Sequence, residues 1–286
     1  MTGRGRRRRE ERLFKGLMAV SIAVVAASLL LILGTVVVKS LPALRLSMLV
    51  RTPQGGYYLG REGGILNAIL GSLTLASGAT FLAVLFALPI VLYINLWARR
   101  RTPLAVLTRF CLDVLWGIPS IVYGAFGFIA MMAVGLRASL LAGILAVALL
   151  ELPIMARAMD EVIRLVPSAR ADASYSLGAT RLETALKVVA RQALPGILTA
   201  VLIAFGRGIG DAASVLFTAG FTDSVPTSLL RPVATLPLAI FFQLGTPYPE
   251  VQQRAYASAA VLTLIILVIS LASRSLIRRI SRHTVK

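Results

Sequence analysis

The 286-residue chain holds one cysteine, Cys111, and one histidine, His283. A lone cysteine excludes an internal disulfide and every cysteine-rich zinc or iron–sulfur site, and a lone histidine near the C-terminus excludes histidine-cluster metal sites. No Gly-Lys dipeptide occurs, so the phosphate-cradling Gly-x4-Gly-Lys-Ser/Thr loop is absent and ATP cannot be hydrolysed by that route. Charge is scarce too. Only 15% of residues are charged, against about 25% in soluble domains, while 57% are hydrophobic. That is the composition of an integral membrane protein. What charge there is leans one way, with 30 Lys/Arg against 12 Asp/Glu and a net +18. On a soluble chain this excess would indicate a nucleic-acid partner; on a membrane chain it labels orientation.

A hydrocarbon core of about 30 Å takes about 20 apolar helical residues, because no backbone polar group can go unpaired there. Runs of that kind predict six spans, at 16–38, 63–98, 114–136, 138–156, 192–222 and 255–273. Glu151 interrupts the fourth, and Arg207 and Asp211 interrupt the fifth. The second run is too long for one perpendicular span and too short for two, which points to a long tilted helix with an interfacial start at 63–67. The expected class is an all-α polytopic membrane protein. It divides into a basic N-terminus at 1–15, a first anchor at 16–38, a transmembrane domain at 63–277 with an inner loop at 157–194, and a tail at 278–286.

Six spans put both termini on one side. With that side taken as cytoplasmic and Asp113, at the edge of the third run, counted with the spans, its segments carry a net +16, the outer segments +4 and the spans −2. The cytoplasmic set includes Arg99, Arg100, Arg101 and Arg109. Arg4 and Arg6 to Arg9 before an apolar stretch suit a secretory signal, but the stretch exceeds an h-region of about 7–15 residues and no small-x-small site follows Val38. An uncleaved signal anchor is expected, with membrane lipid rather than nucleic acid beside the arginines. The proline-rich outer stretch 221–253, with an apolar segment at 236–244, is expected to pack back against the bundle.

The inner loop reads as two short helices around a glycine. Pro167-Ser168 starts the first, and Gly178 ends it in a left-handed conformation. Thr180 and Glu183 form a capping-box pattern, after which Leu182, Ala185, Leu186 and Val189 recur at the spacing of an amphipathic helix. Such a hairpin serves either as a connector or as a docking element.

Within the spans, Arg207 and Asp211 stand four apart in Gly-Arg207-Gly-Ile-Gly-Asp211, placing them on one helix face. Two readings fit: a self-satisfied ion pair, or an arginine that receives an anion and is held by Asp211 when the path is empty. Guanidinium suits a tetrahedral oxyanion because its planar fork donates two parallel hydrogen bonds. Gly117, Pro119, Gly124 and Gly127 share one span, where Pro119 frees a carbonyl and the helix should kink or break. The kink serves close packing, or it exposes amides to an oxyanion with Ser120 as a further donor. Gly71, Ser72, Gly78 and Thr80 read as close helix packing.

Asp172-Ala173-Ser with Gly178 four residues on resembles the EAA loop of bacterial ABC importer permeases, whose pattern is Glu-Ala-Ala, three residues, Gly, nine residues, Ile-x-Leu-Pro. Here Asp172 replaces Glu, Val188 replaces Ile, and Leu194-Pro195 falls four residues late. The run from Arg207 to Gly220, Ile-Gly-Asp211-Ala-Ala-Ser-Val-Leu-Phe-Thr-Ala, is similar to the Arg-Ala-Ile-Gly-Glu-Thr-Ala-Pro-Leu-Leu-Phe-Thr-Ala stretch of PstA-type phosphate permeases. Gly117-Ile-Pro-Ser-Ile-Val-Tyr-Gly resembles a segment shared with the PstC type; Gly63-Gly-Ile-Leu-Asn and Leu236-Pro-Leu-Ala-Ile resemble further family segments.

The resemblance implies a type I ABC importer permease fold and phosphate import across the bacterial inner membrane by alternating access. It implies a PstC-like second permease, a PstB-like cytoplasmic ATPase dimer and an extracytoplasmic phosphate-binding protein as partners, with no cofactor and no metal. Asp172, Ala173 and Gly178 would lie at the ATPase contact, and Arg207, Asp211, Ser120 and Gly117 along the substrate path. A PstC-like role and a sulfate or molybdate permease are the nearest alternatives. A membrane enzyme would need clustered nucleophiles and bases, and no histidine falls in any span. A structural scaffold would lose folding but no flux on change of Arg207.

Overall fold

The computed structural model describes residues 3–54, 62–98 and 102–281. Arg61, Arg99, Arg100, Arg101 and residues 282–286, with His283, lie outside them. Among the described residues the fold is all-helical apart from a two-residue ladder joining Pro53–Gln54 to Glu62–Gly63. The helices are α1 (Gly3–Ser40), α2 (Leu46–Val50), α3 (Leu66–Leu96), α4 (Pro103–Gly117), α5 (Ser120–Ala133) and α6 (Leu140–Arg164). After these come α7 (Ser168–Ser176), α8 (Arg181–Glu183), a π-helical turn (Thr184–Val189), α9 (Ala190–Ile209), α10 (Leu236–Leu244) and α11 (Pro249–Ser281).

Among the described residues five helices are long and apolar enough to cross a membrane: Glu10–Ser40, Leu66–Leu96, Leu140–Arg164, Arg181–Ile209 and Pro249–Ser275. The third expected span, 114–136, is not one helix. It belongs to the pair α4 and α5, bent by 100° at Ile118-Pro119. Fifteen and fourteen residues give about 22 Å each, so neither crosses a 30 Å core alone. The fifth span also differs from 192–222: its helix begins at Arg181 and stops at Ile209.

The centre is α3, α6 and α9. The small residues Ala79, Ala83 and Ala87 of α3 are fully buried in the clusters that hold Ile144, Val147 and Met155 of α6, which lets the two helices approach closely. Met155, Met159 and Ile163 of α6 then pack with Ala193, Ile197, Ala200 and Ala204 of α9. The 31 residues of α3 span about 46 Å, as the long-helix expectation required. Its start is pinned where Ile65 N–H donates to Met48 O at 2.8 Å and Asn67 Nδ2 donates to Thr222 O at 2.7 Å.

Gly71 and Gly78 are packing positions, lying against the Ala234 carbonyl and Ile144. Ser72 and Thr80 do more: Ser72 Oγ accepts from Leu236 N–H at 2.8 Å, and Thr80 Oγ1 donates to Glu151. The 236–244 segment folds back as expected, with Leu236, Leu238 and Ala239 of α10 buried. Just before it, Asp223 has one buried carboxylate oxygen without a hydrogen bond, and burial pushes this carboxyl above its ordinary value. The spanning part of α1 is exposed and lies beside α11, where Lys39 Nζ donates to Tyr256 Oη at 3.3 Å.

Candidate functional site: a docking hairpin and a held arginine

The hairpin after α6 forms from local signals. Pro167 caps α7 in an extended conformation, and Gly178 ends it at φ +83°. A Cβ at Gly178 would meet nothing within 4 Å, so the requirement for glycine there is conformational, not spatial. Thr180 and Glu183 make the full capping box, with Glu183 N–H to Thr180 Oγ1 at 3.3 Å and Thr180 N–H to Glu183 Oε2 at 3.1 Å. Ser174 Oγ and Thr184 Oγ1, 3.0 Å apart, tie the two limbs together.

The second limb is not a separate short helix. It runs through the π turn directly into α9, with Pro195 inside the helix, so the rod from Arg181 to Ile209 joins hairpin and membrane span. The four residues expected on one apolar face are split accordingly. Ala185 and Val189 are buried, whereas Leu182 and Leu186 are 59% and 51% exposed. Leu177, beside Gly178, is 89% exposed, and Asp172 and Ala173 are also exposed. The hairpin thus presents leucines outward around its glycine turn.

At the other end of the rod, Gly206, Gly208 and Gly210 weaken the helix and it stops at Ile209. Asp211 therefore does not share a helix face with Arg207. It lies beyond Gly210, on a turn in which the amides of Gly210 and Asp211 both donate to Gly208 O. The two side chains still meet, at 2.7 Å between Arg207 Nη1 and Asp211 Oδ1. Asp211 Oδ2 accepts from Ser214 N–H at 2.8 Å. The carboxylate is fixed and only 4% exposed, while the arginine side chain is 44% exposed. A held, half-open guanidinium can offer hydrogen bonds to an anion arriving from the open side.

The break between α4 and α5 faces this region on one side. Ile118 is extended, Pro119 caps α5, and Tyr123 Oη donates to Leu115 O at 2.7 Å, pairing a carbonyl near the break. Gly124 packs on the Ala213 and Ser214 backbone, and a Cβ built on Gly127 would lie 3.0 Å from Thr218 Cγ2. Both glycines are thus packing positions. Ser120 shares their helical stripe, one turn before Gly124, and is half-buried. Gly117 lies on the far side of the bend, exposed, with no atom within 4 Å of a Cβ built on it.

Two buried acids complete the arrangement. Asp160, fully enclosed, accepts from Asn95 Nδ2 at 2.7 Å and from Arg109 Nε at 2.9 Å, and pairs with Arg164 Nε at 3.2 Å and Arg157 Nη1 at 3.5 Å. Arg157 also pairs with Asp113 at 2.6 Å. Arg109, expected among the cytoplasmic loop cations, is instead buried in this hub joining α3, α4 and α6. Arg157 and Arg164 at i−3 and i+4 were a readable signal for Asp160; Asn95 and Arg109 are too distant in sequence to be one. Glu151 is likewise enclosed, bonded to Thr80 at 2.8 Å. Among the described residues no group of three or more His, Cys, Asp or Glu could hold a metal ion.

Residues 92–286 match the family described as binding-protein-dependent transport system inner membrane component. Curated relatives include the phosphate transport system permease protein PstA of Xylella fastidiosa, 33% identical over 86% of this chain and 84% of that one. The PstA of Haemophilus influenzae is 31% identical over 94% of each, and PstA 1 of Mycobacterium tuberculosis 35% over 74% and 69%. Among solved structures, a bacterial alginate ABC transporter aligns with TM-score 0.65 at 14% identity, covering 97% of this chain and 98% of that one. The inward-facing MetNI methionine ABC transporter gives 0.60 at 20%, covering 76% and 95%. At those identities the likeness carries the fold, which is that of an ABC importer permease. With two thirds of its residues matched and relatives above 30% identity along most of their length, this membrane-embedded chain belongs to the binding-protein-dependent transport system inner membrane component family.

Proposed function

We propose that this chain is the PstA-type permease subunit of an ATP-driven importer, carrying inorganic phosphate across the bacterial inner membrane by alternating access. The observation that carries the reading is Arg207, held by a fixed Asp211 yet open on its other side, on the same rod as the docking hairpin. A planar guanidinium matches phosphate oxygens, and the relatives' name, phosphate transport system permease protein, supports that anion. Ser120 adds a hydroxyl on the face of α5 that meets the segment after Asp211, and Gly117 lines the open side of the bend. Both termini lie in the cytoplasm, where the basic segments gather, and the permease domain runs from 63 to 277.

The hairpin around Asp172, Ala173 and Gly178 seats in a PstB-like ATPase dimer, its outward leucines filling an apolar cleft. A PstC-like permease forms the other half of the path, and a phosphate-binding protein delivers the anion from outside. ATP is hydrolysed on the separate subunit.

The importer reconstituted in proteoliposomes with these partners is the test. ATP-dependent uptake of labelled phosphate, suppressed by unlabelled phosphate and not by sulfate, is expected. Suppression by sulfate would reassign the substrate, and no ATP-dependent uptake of either anion would remove the importer reading. In the same preparation Gly178→Pro should abolish copurification of the ATPase, because proline fixes φ near −65° where the turn needs +83°. Retained ATPase would place the docking contact elsewhere.

A further inference from the structure

Glu151 has no part in the path described above, yet its surroundings lead to it. The side chain sits in α6, fully enclosed, with Oε2 accepting from Thr80 Oγ1 at 2.8 Å and Oε1 without a hydrogen-bond partner. A buried polar atom left unpaired is costly and calls for a reason. Oε1 is pressed against α9 at Gly208, where any Cβ would run into it, and Val147 Cγ1 closes the same space. Gly208 is the residue after Arg207, and its carbonyl accepts both amides of the turn that brings Asp211 back to Arg207. The backbone unit seated on Glu151 is therefore the one on which the Arg207–Asp211 turn is folded. Thr80 in turn anchors Glu151 to α3, so one hydrogen bond joins α3 to α6 and α9 packs against it at the level of the held arginine.

We infer that Glu151 is a positioning residue for the anion site: with Thr80 it forms a seat against Gly208 that sets the height and direction of the Arg207–Asp211 turn. This rests on the reading of Arg207 as the phosphate ligand. The seat touches no substrate; it fixes where the guanidinium points. Glycine at 208 and the acid at 151 form a matched pair, since a methyl group on one takes the space of the other's carboxyl.

The readout is phosphate delivered per ATP hydrolysed by the reconstituted importer, which a misaimed arginine lowers and a general loss of folded protein does not. Gly208→Ala should lower that ratio about tenfold, and Thr80→Val, close in volume but unable to donate, severalfold. Glu151→Gln, of the same shape and still able to accept from Thr80, should stay within about twofold of the parent. In a Glu151→Ala background the severe clash is gone and only the Val147 methyl, a flexible side-chain end, still crowds a methyl at 208, so adding Gly208→Ala should change the ratio by less than about twofold. Additive effects of the two alanines, or an unchanged ratio in Gly208→Ala and Thr80→Val, overturn the proposal. Should Glu151→Ala fail to assemble, those two single variants decide it by the same ratio. Arg207→Lys is the control: a normal ratio there sinks the path reading itself, whereas an impaired Arg207→Lys beside unaffected Gly208 and Thr80 variants sinks only the seat.

Discussion

Arg207→Ala is expected to lower phosphate uptake about a hundredfold while ATP hydrolysis stimulated by the binding protein continues. Asp211 is buried although Arg207 is half exposed, and removing the partner of a buried charge costs about 2–5 kcal/mol, where about 1.4 kcal/mol is tenfold. Two effects act together here. The anion loses its planar donor, and Asp211, still bonded to the Ser214 amide, stays behind as a negative charge that Arg207 had neutralised. Arg207→Lys keeps the charge but not the fork, so a smaller loss of about tenfold is expected. Uptake of labelled phosphate, normalised to assembled importer, checks both, and parental uptake by Arg207→Lys would remove the anion role. Asp211→Asn separates holding from receiving: the amide can still accept from Ser214 N–H, but the arginine is no longer matched in charge.

The largest effect on stability is expected at Asp160. Asp160→Ala leaves the Arg109, Arg157 and Arg164 guanidiniums and the Asn95 amide facing a buried space without its anion. Breaking a buried pair from one side costs about 3–5 kcal/mol, because the remaining charge is uncompensated. The midpoint of thermal unfolding of the purified subunit in detergent should fall by several degrees, and an unchanged midpoint would show that the hub contributes nothing. Asp113→Ala makes the contrast. Its carboxylate is half exposed and holds only Arg157, so the expected change is within about 1 kcal/mol.

Features set by neighbouring residues were legible in the sequence. Charge-free runs located the spanning helices, Pro119 located the break, and Thr180, Glu183 and Gly178 located the hairpin turn. Features that depend on where distant segments meet were not. The glycines around Arg207 were compatible with a continuing helix, and only the packing of the following turn under α5 showed that Asp211 lies outside it. Leu182 and Leu186 carried the same periodic signal as Ala185 and Val189, but the π turn and the hairpin's free side separate them. Glu151 looks like an ordinary interruption of an apolar run, with its partner 71 residues away; for Asp160 the local arginines were readable, but Asn95 and Arg109 lie 65 and 51 residues away. Distance in sequence, not weakness of the interaction, hid them.

The unbroken rod from Arg181 to Ile209 has a mechanical consequence. From Arg181 to Arg207 it measures about 39 Å, so a tilt of about 5° at the hairpin sweeps the arginine sideways by about 3 Å, the length of a hydrogen bond. The helix is stiff along its axis, and the hairpin and the guanidinium are parts of one lever. On the proposed reading, motion imposed at the leucine-bearing end arrives at Arg207 as a change of aim, with no relay of side chains between them.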